Sequence, residues 1–529
     1  MARLNNSHYV EALEIARRLR ERGFAAYFAG GCVRDLLLGI APKDFDVATS
    51  ATPDEVQRTF ARTESVGAHF GVVLVLATVE GERIATEIAT FRHDGAYSDG
   101  RRPDAVRFSE DPREDALRRD FTINGLLLDA IAFDAGDQLE SCILDFVGGQ
   151  ADLKDKLLRA IGEPSLRFAE DKLRMLRAVR FAARLNLAIE PRTFAAVRAH
   201  AAQITQVSAE RVRDELTRIL TEGAARRGFE LLDASGLLAE VLPEVTRLKG
   251  VEQPPQYHPE GDVWIHTLML LDHLRRPEED HVPGAKAACV SEPVMSGLKP
   301  GPISGTNAIS RTNAISRTNA ISEADAISGA NAISEADAIS RGSQKVSATL
   351  AWGMLLHDIG KPATFTPPDP AKPGDRIRFN GHVEVGVTIA RAILNRLRFS
   401  NEDCAQILAL VQNHMRFGDI MHMRTSTLKR FLRLPKFDEH LALHYADVMS
   451  SNGQTELYEF AKQHYEESSP EVIRPELLVT GRELIDAGYR PGPAFKAMLV
   501  AAEDAQLEGE ATTRDEALAM LRRKFGSPA

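Results

Sequence analysis

The chain has 529 residues, of which 44% are hydrophobic and 26% charged, and carries a formal net charge of -10. That length exceeds what one hydrophobic core supports and calls for three or four domains, with a balance of residues that excludes disordered, collagen-like and membrane-embedded classes. The acidic net charge excludes a general nucleic-acid coat, and the lack of an apolar run of about 18 residues or of a signal-peptide core gives the expectation of a cytoplasmic protein.

Residues 8 to 22 are helical by period, with Tyr9, Leu13, Ile15, Ala16 and Leu19 apolar. An apolar strand then runs into Gly30 and Gly31, a short helix follows through Leu36, Leu37 and Leu38, and the chain turns at Gly39 and Pro42 into a second strand carrying Asp44 and Asp46. Side chains alternate along a strand, so the two carboxylates share a face and Phe45 and Val47 take the other. Two like charges held together need a cation, and hard oxygen ligands in a cleft suit Mg²⁺. Glycines between a strand and a helix let backbone N–H groups approach an anion, and Arg34 adds a point of charge, so a phosphate site is expected opposite the metal.

Thr52-Pro53-Asp54-Glu55 has the form of a capping box with Pro at the first helical position, which starts a helix at Pro53. The stretches from His69 and from Arg83 read as strands joined by a turn at residues 80–82, with Glu87 among small and apolar neighbours. Residues 93–103 have loop composition. In Arg118-Arg119-Asp120-Phe121-Thr122-Ile123-Asn124, two arginines beside Asp and Asn suit triphosphate and ribose recognition.

From Leu153 to about Leu220 the pattern is helical, and residues 151–230 hold 16 Lys and Arg against 11 Asp and Glu, a local excess of +5. A basic face of that kind is enough for a tRNA-sized partner. Within it, Glu170-Asp171-Lys-Leu-Arg174-Met-Leu-Arg177 places Asp171, Arg174 and Arg177 on one helical face. Ser208-Ala-Glu210-Arg211 begins a helix whose role reads as bracing. Further on come His258 and His266, an apolar helix ending in His357-Asp358-Ile-Gly-Lys361, then His382, His414 and Asp447 on later elements. Residues 277–346 include a strict six-residue repeat from Asn307 with one Ile per unit, too little apolar surface to stack, and read as a disordered insertion. Helices are expected at 494–508 and 513–525. Cys32, Cys142, Cys289 and Cys404 stand singly, without the spacing of a zinc ribbon or a disulfide framework.

The order Gly-Gly-x-Val-Arg-Asp, Lys-Asp-Phe-Asp, Glu-x-x-Thr-x-Arg, Arg-Arg-Asp-Phe-Thr-Ile-Asn and Glu-Asp-x-x-Arg resembles the class II tRNA nucleotidyltransferase and poly(A) polymerase family of the polymerase β-like superfamily. The resemblance implies an α+β protein with a small mixed sheet in its head and helices beyond. It makes Asp44, Asp46 and Glu87 the Mg²⁺-binding catalytic carboxylates, and assigns the nucleotide to Gly30, Gly31, Arg34, Arg119, Asp120 and Asn124. Asp171 and Arg174, with Arg177, then face the base. The histidine pattern resembles the HD phosphohydrolase superfamily, which makes His266, His357, Asp358 and Asp447 ligands of a divalent metal ion, with His382 and His414 as additional candidates. The implied layout is a catalytic head over 1–150, a helical neck and body over 151–256, an HD domain over 257–455 interrupted by the insertion, and a helical tail over 456–529. The implied reaction adds CMP and AMP from CTP and ATP to the 3′ end of tRNA. A poly(A) polymerase or an A-only or CC-only enzyme shares the same residues, and a chiefly HD-based phosphohydrolase with an RNA-binding head is the rival from another class. Oligomeric state is not legible in these motifs.

Overall fold

The structure, a computed structural model, describes residues 6–65, 71–79, 81–95, 106–274, 346–469 and 473–528. The repeat-bearing stretch up to residue 345 and most of the loop at 93–103 lie outside the described residues.

Strands of the head are β1 (Ala26–Ala29), β2 (Asp46–Thr49), β3 (Thr63–Glu64), β4 (Val72–Val79), β5 (Glu82–Thr90), β6 (Arg92–Asp94), β7 (Val106–Phe108), β8 (Leu127–Leu128) and β9 (Ile143–Leu144). Among the described residues, seven of them form one sheet in the order β3-β4-β5-β2-β1-β8-β9, while β6 and β7 pair as a separate ribbon. The sheet is mixed as expected, because β2 runs parallel to β5 and the other pairings are antiparallel. Strand β2 starts at Asp46, so Asp44 lies just ahead of it rather than within it. The alternation holds all the same, with Phe45 and Val47 buried and Asp44 and Asp46 open to the other side.

Helix Ser7–Glu21 covers one face of the sheet and is capped by Asn6, whose side chain accepts from His8 N–H at 2.9 Å. Its Tyr9 packs edge-on to Phe28 and Phe45, with ring centroids 5.8 and 5.4 Å away. Helix Pro53–Thr59 begins in the capping box read from the sequence, with Thr52 N–H donating to Glu55 at 2.8 Å.

The neck corrects one expectation. Residues 170–180 do not form a continuous helix: Pro164–Glu170 ends at Asp171, and a new helix runs Arg174–Arg184. Asp171 turns the chain by accepting Leu173 N–H on its own carboxylate at 3.1 Å, the two-residue bond that lets Asp compete with a helical backbone. The arginines of the neck are largely paired: Arg174, Arg180 and Arg211 with Glu170, Glu215 and Asp171 of the same segment, and Arg177 with Asp120 of the head. Lys154, Lys156 and Arg198 remain exposed.

Beyond the neck, helices Val263–Asp272, Ala348–Leu356, His382–Arg396, Asn401–Asn413 and Phe437–Met449 surround the histidines. A single apolar core runs from Tyr9 in the head to Ala446 near the end of this bundle. Fully buried Trp352 joins bundle to neck by donating its indole N–H to Thr217 Oγ1 at 2.9 Å. Helix Glu456–Glu467 packs Ala461 among Phe417, Phe431 and Phe437. Helices Gly481–Asp486, Ala494–Glu508 and Arg514–Phe525 share a small core of their own, anchored to the bundle by Arg430 and Arg433 on Glu503 at 2.7 and 2.6 Å. Among the described residues no helix is long and apolar enough to cross a membrane.

Candidate functional site

The parallel register of β2 and β5 pairs Val47 with Ile88, so one step earlier Asp46 and Glu87 stand side by side at the mouth of the sheet. Asp44 reaches the same place from the turn before β2. Burial, then the charges of Glu87 and Asp44, push the Asp46 carboxyl up to about 6 against the pull of Arg119. A divalent cation relieves the opposition that Asp46 meets to its ionisation, and three carboxylates suit a hard ion that keeps positions for water and phosphate.

Asp46 opens onto a cavity of about 440 Å³ between head and neck. Gly30 and Gly31 line one end, at the turn from β1 into helix Gly31–Leu37. Gly30 takes φ +75°, a backbone conformation that favours glycine, and a Cβ there would lie 2.9 Å from the guanidinium of Arg119. Arg119 and Arg118 are fixed by Asp115, which is fully buried and accepts from Arg119 at 2.9 Å and from Arg118 at 2.6 Å. Burial raises the Asp115 carboxyl, but the two arginines outweigh it and hold it below the usual range. Arg34 is buried, donates to Asp35 at 2.6 and 2.8 Å and to Asn124 Oδ1 at 2.7 Å, and stands over the Phe181 ring. Asn124 in turn donates to Asp120 at 3.0 Å. These groups form a fixed wall of donors suited to a polyphosphate and its sugar.

The neck supplies the other end. Arg174 and Arg177 both face the cavity with Asp171, as the motif implies, although the helix break puts Asp171 on a turn. Arg177 bonds Asp120, which burial would raise but Arg177 and Asn124 hold down to about 2. Asp171 accepts from Arg211 at 2.8 Å. Ser208 starts its helix without a side-chain cap bond, and buried Glu215 on the same helix takes Arg180 at 2.7 Å, so the bracing expected of this element falls to Arg211 and Glu215. Glu210 instead pairs with Arg398 at 2.8 Å.

The second constellation assembles within the helical bundle. His266, His357 and Asp447 offer ligand atoms within 4.8 Å of one another, and Asp358, His382 and His414 form a second such group. All six residues nominated from the sequence therefore come together, with His357 Nε2 only 3.1 Å from Asp358 as the link. Each imidazole is aimed from behind. His357, His382 and His414 set Nδ1 against the carbonyls of Met354, Phe379 and Val411 at 2.9, 2.9 and 2.7 Å, and His266 sets its Nδ1 on Glu260 at 2.7 Å. Their Nε2 atoms turn inward: that of His266 lies 3.0 Å from Asp447, that of His357 3.1 Å from Asp358, and those of His382 and His414 face each other at 3.4 Å. Outward-held Nδ1 atoms around Nε2 atoms that converge on two carboxylates are the donor arrangement of a metal centre. Burial lowers His266, yet Asp447 and Glu260 outweigh it and lift it to about 9, while burial pushes His414 down to about 4. Lys361 reaches Asp358 at 2.6 Å and Gln253 at 2.7 Å.

Asp115, Glu260 and Gln253 were not singled out from the sequence. Asp115 stands three and four residues before the arginine pair, a helical spacing that signals it; Gln253 carries no local signal, because its partner is 108 residues away.

Residues 26–159 match the family model of the Poly A polymerase head domain, 186–249 that of the probable RNA and SrmB-binding site of polymerase A, and 327–452 that of the HD domain. A CCA-adding enzyme of Levilactobacillus brevis is 42% identical over 234 residues, which are 44% of this chain and 56% of that protein. One of Lactobacillus helveticus is 38% identical over 276 residues, 51% of this chain and 65% of the other. The chain thus spans about half the length of the first of the curated relatives it matches. Among solved structures, the Bacillus stearothermophilus CCA-adding enzyme in complex with CTP superposes with a TM-score of 0.62 at 23% identity, covering 98% of both chains. The Thermotoga maritima CCA-adding enzyme complexed with tRNA-CCA does so with a TM-score of 0.51 at 15% identity, covering 99% of this chain and 97% of that one. At these identities the two superpositions speak to fold alone.

Proposed function

We propose that this chain, which carries a poly A polymerase head, an RNA-binding segment and an HD domain, adds CCA to the 3′ end of tRNA in the cytoplasm, using CTP and ATP and releasing pyrophosphate. The observation that carries the reading is the shared cavity, in which the Gly30-Gly31 turn and Asp46 of the head face Asp171, Arg174 and Arg177 of the neck. A triphosphate bound at the glycine turn leaves its base at the neck wall. Relatives named as CCA-adding enzymes, and solved structures of such enzymes with CTP and with tRNA, support the substrates.

Arg118 and Arg119, held by Asp115, grip the triphosphate, and Asn124, held by Asp120 and Arg34, meets the sugar. Asp171 accepts from the exocyclic amine that C and A share, and Arg174 donates to the ring edge beside it. The tRNA 3′-hydroxyl attacks the α-phosphorus, a new P–O bond forms, and the bond to pyrophosphate breaks in line. Asp44, Asp46 and Glu87 would hold Mg²⁺, which when bound supplies charge neutralisation for attacking and leaving oxygens.

A metal-dependent phosphohydrolase activity of the HD domain is a second reading, favoured by the two ligand groups and their outward-held Nδ1 atoms. Four imidazoles and two carboxylates suit a first-row transition ion better than Mg²⁺.

The deciding experiment incubates purified protein with tRNA transcripts ending at the discriminator base, at C or at CC, supplying each nucleotide separately. The expected result is CMP addition to the first two and a single AMP on the third. Addition of AMP alone, or long A tails on RNA that is not tRNA, would replace the reading with one of its rivals.

A further inference from the structure

Asp171, the acceptor on the neck wall, is already engaged. Its Oδ2 takes Arg211 at 2.8 Å and its Oδ1 takes the Leu173 N–H at 3.1 Å. Arg211 comes from helix Ala209–Thr221, 40 residues further along the chain, and stands behind Asp171 rather than on the wall of the cavity. Arg174 is tied elsewhere, to Glu170 and to the Arg167 carbonyl. The two groups facing the base are therefore fixed by different elements, and the tilt of the carboxylate depends on Arg211.

We infer that Arg211 is a specificity-determining positioning residue, which sets the orientation of the Asp171 carboxylate and through it the choice between bases that present an exocyclic amine and bases that present a carbonyl. The inference rests on nucleotidyl transfer in the shared cavity. A carboxylate offers about four lone-pair sites, and two are taken here, one by Arg211 and one by Leu173. The remaining sites are thereby aimed as a pair. An amine of C or A donates into them, while a carbonyl of U or G meets aligned lone pairs and is repelled. The Asp side chain turns easily about its last bond, because that torsion is broad. Without Arg211 it can swing away from a carbonyl, whereas an amine draws it back. Discrimination should therefore weaken more than turnover of the correct nucleotides.

The helix that carries Arg211 is held independently of it. Glu215 is buried on Arg180 at 2.7 Å, and Thr217 accepts from Trp352 at 2.9 Å. Arg211 itself keeps about a quarter of its side chain in solvent, at 23% exposure, so its replacement leaves that scaffold in place.

The test compares wild type with Arg211→Ala and Arg211→Lys in the full chain. It measures kcat/KM for CTP and UTP on tRNA ending at the discriminator base and for ATP and GTP on tRNA ending in CC, together with KM for tRNA and the melting curve. Arg211→Ala should lower the CTP/UTP and ATP/GTP ratios about ten- to hundredfold, chiefly through faster UTP and GTP, with tRNA KM unchanged. Arg211→Lys should recover part of the ratio, and it carries the test if the alanine variant fails to fold. Equal slowing of all four nucleotides, or a rise in tRNA KM with the ratios intact, overturns the inference. A wild-type protein that extends no tRNA overturns nucleotidyl transfer itself and the inference with it, a result distinct from unchanged ratios.

Discussion

Arg177 lays Nε and one terminal nitrogen against Oδ2 of Asp120 at 2.9 and 2.7 Å, bonding the neck to the head across 57 residues of chain. Asp120's other oxygen takes Phe121 N–H and Asn124, so both oxygens are engaged before a nucleotide arrives. The cleft is thus closed at its base by an ion pair of its own, and its walls are set relative to each other.

Asp46→Asn should abolish nucleotide addition and leave tRNA binding intact, since the group serves the metal rather than the RNA. It should also reveal strain in the metal-free protein. With Asp46 raised to about 6, above the roughly 3.9 of an unfolded Asp, the folded state binds the extra proton between those values, and stability falls as pH rises through that window. Metal-free Asp46→Asn should therefore melt above wild type at pH 8, and the difference should vanish below about pH 4. Melting curves from pH 4 to 8, with and without MgCl₂, check both parts; the salt should raise wild type and not the variant.

Asp115→Asn should raise KM for CTP and ATP while leaving KM for tRNA unchanged, because it releases the two arginines at the glycine turn together. Removing the charge of a fully buried group that holds both arginines costs on the order of 3 to 5 kcal/mol. Steady-state kinetics and denaturant unfolding measure the two effects separately.

His357→Ala combined with Asp358→Ala should remove bound transition metal and any hydrolysis of a phosphodiester such as bis(p-nitrophenyl) phosphate, and keep tRNA extension within about twofold of wild type. Both residues are lost from the bundle centre, on elements apart from the cleft. Elemental analysis of the purified variant, beside the two activity assays, decides it.

Gly360→Ala should lower the melting temperature sharply and deplete the bundle of metal. A Cβ at Gly360 would stand 2.0 Å from the His382 carbonyl and 2.6 Å from Gly386 N, where backbone meets backbone and nothing flexible can give way. Gly418→Ala is the control, with nothing within 4 Å of the added atom.

What could be read from the sequence was what lies close along the chain. The Asp44-x-Asp46 alternation, the capping box at Thr52 and the glycine turn at Gly30 each depend on neighbours a few residues away, and each appears in the fold. The histidines were legible as a set because their residue types and order are distinctive. The helix break at Asp171 was not, since apolar spacing continues through Leu173 and Leu176 while an Asp side chain captures the backbone N–H two residues on. The pairing of the neck's arginines was hidden for a related reason. Charge counts do not show that Arg177 has its carboxylate in the head or that Arg211 has its own beyond a turn.

The apolar core that runs unbroken from Tyr9 to Ala446 makes the histidine bundle part of the foundation of the molecule. Single substitutions at His266, His357 or Asp358 would dismantle the ligand groups, but the helices cannot be discarded without exposing Trp352 and the neck surface beneath it. Decay of the ligands with retention of the domain is then the expected course of descent, and an HD fold without its metal would in such a protein be a surviving buttress.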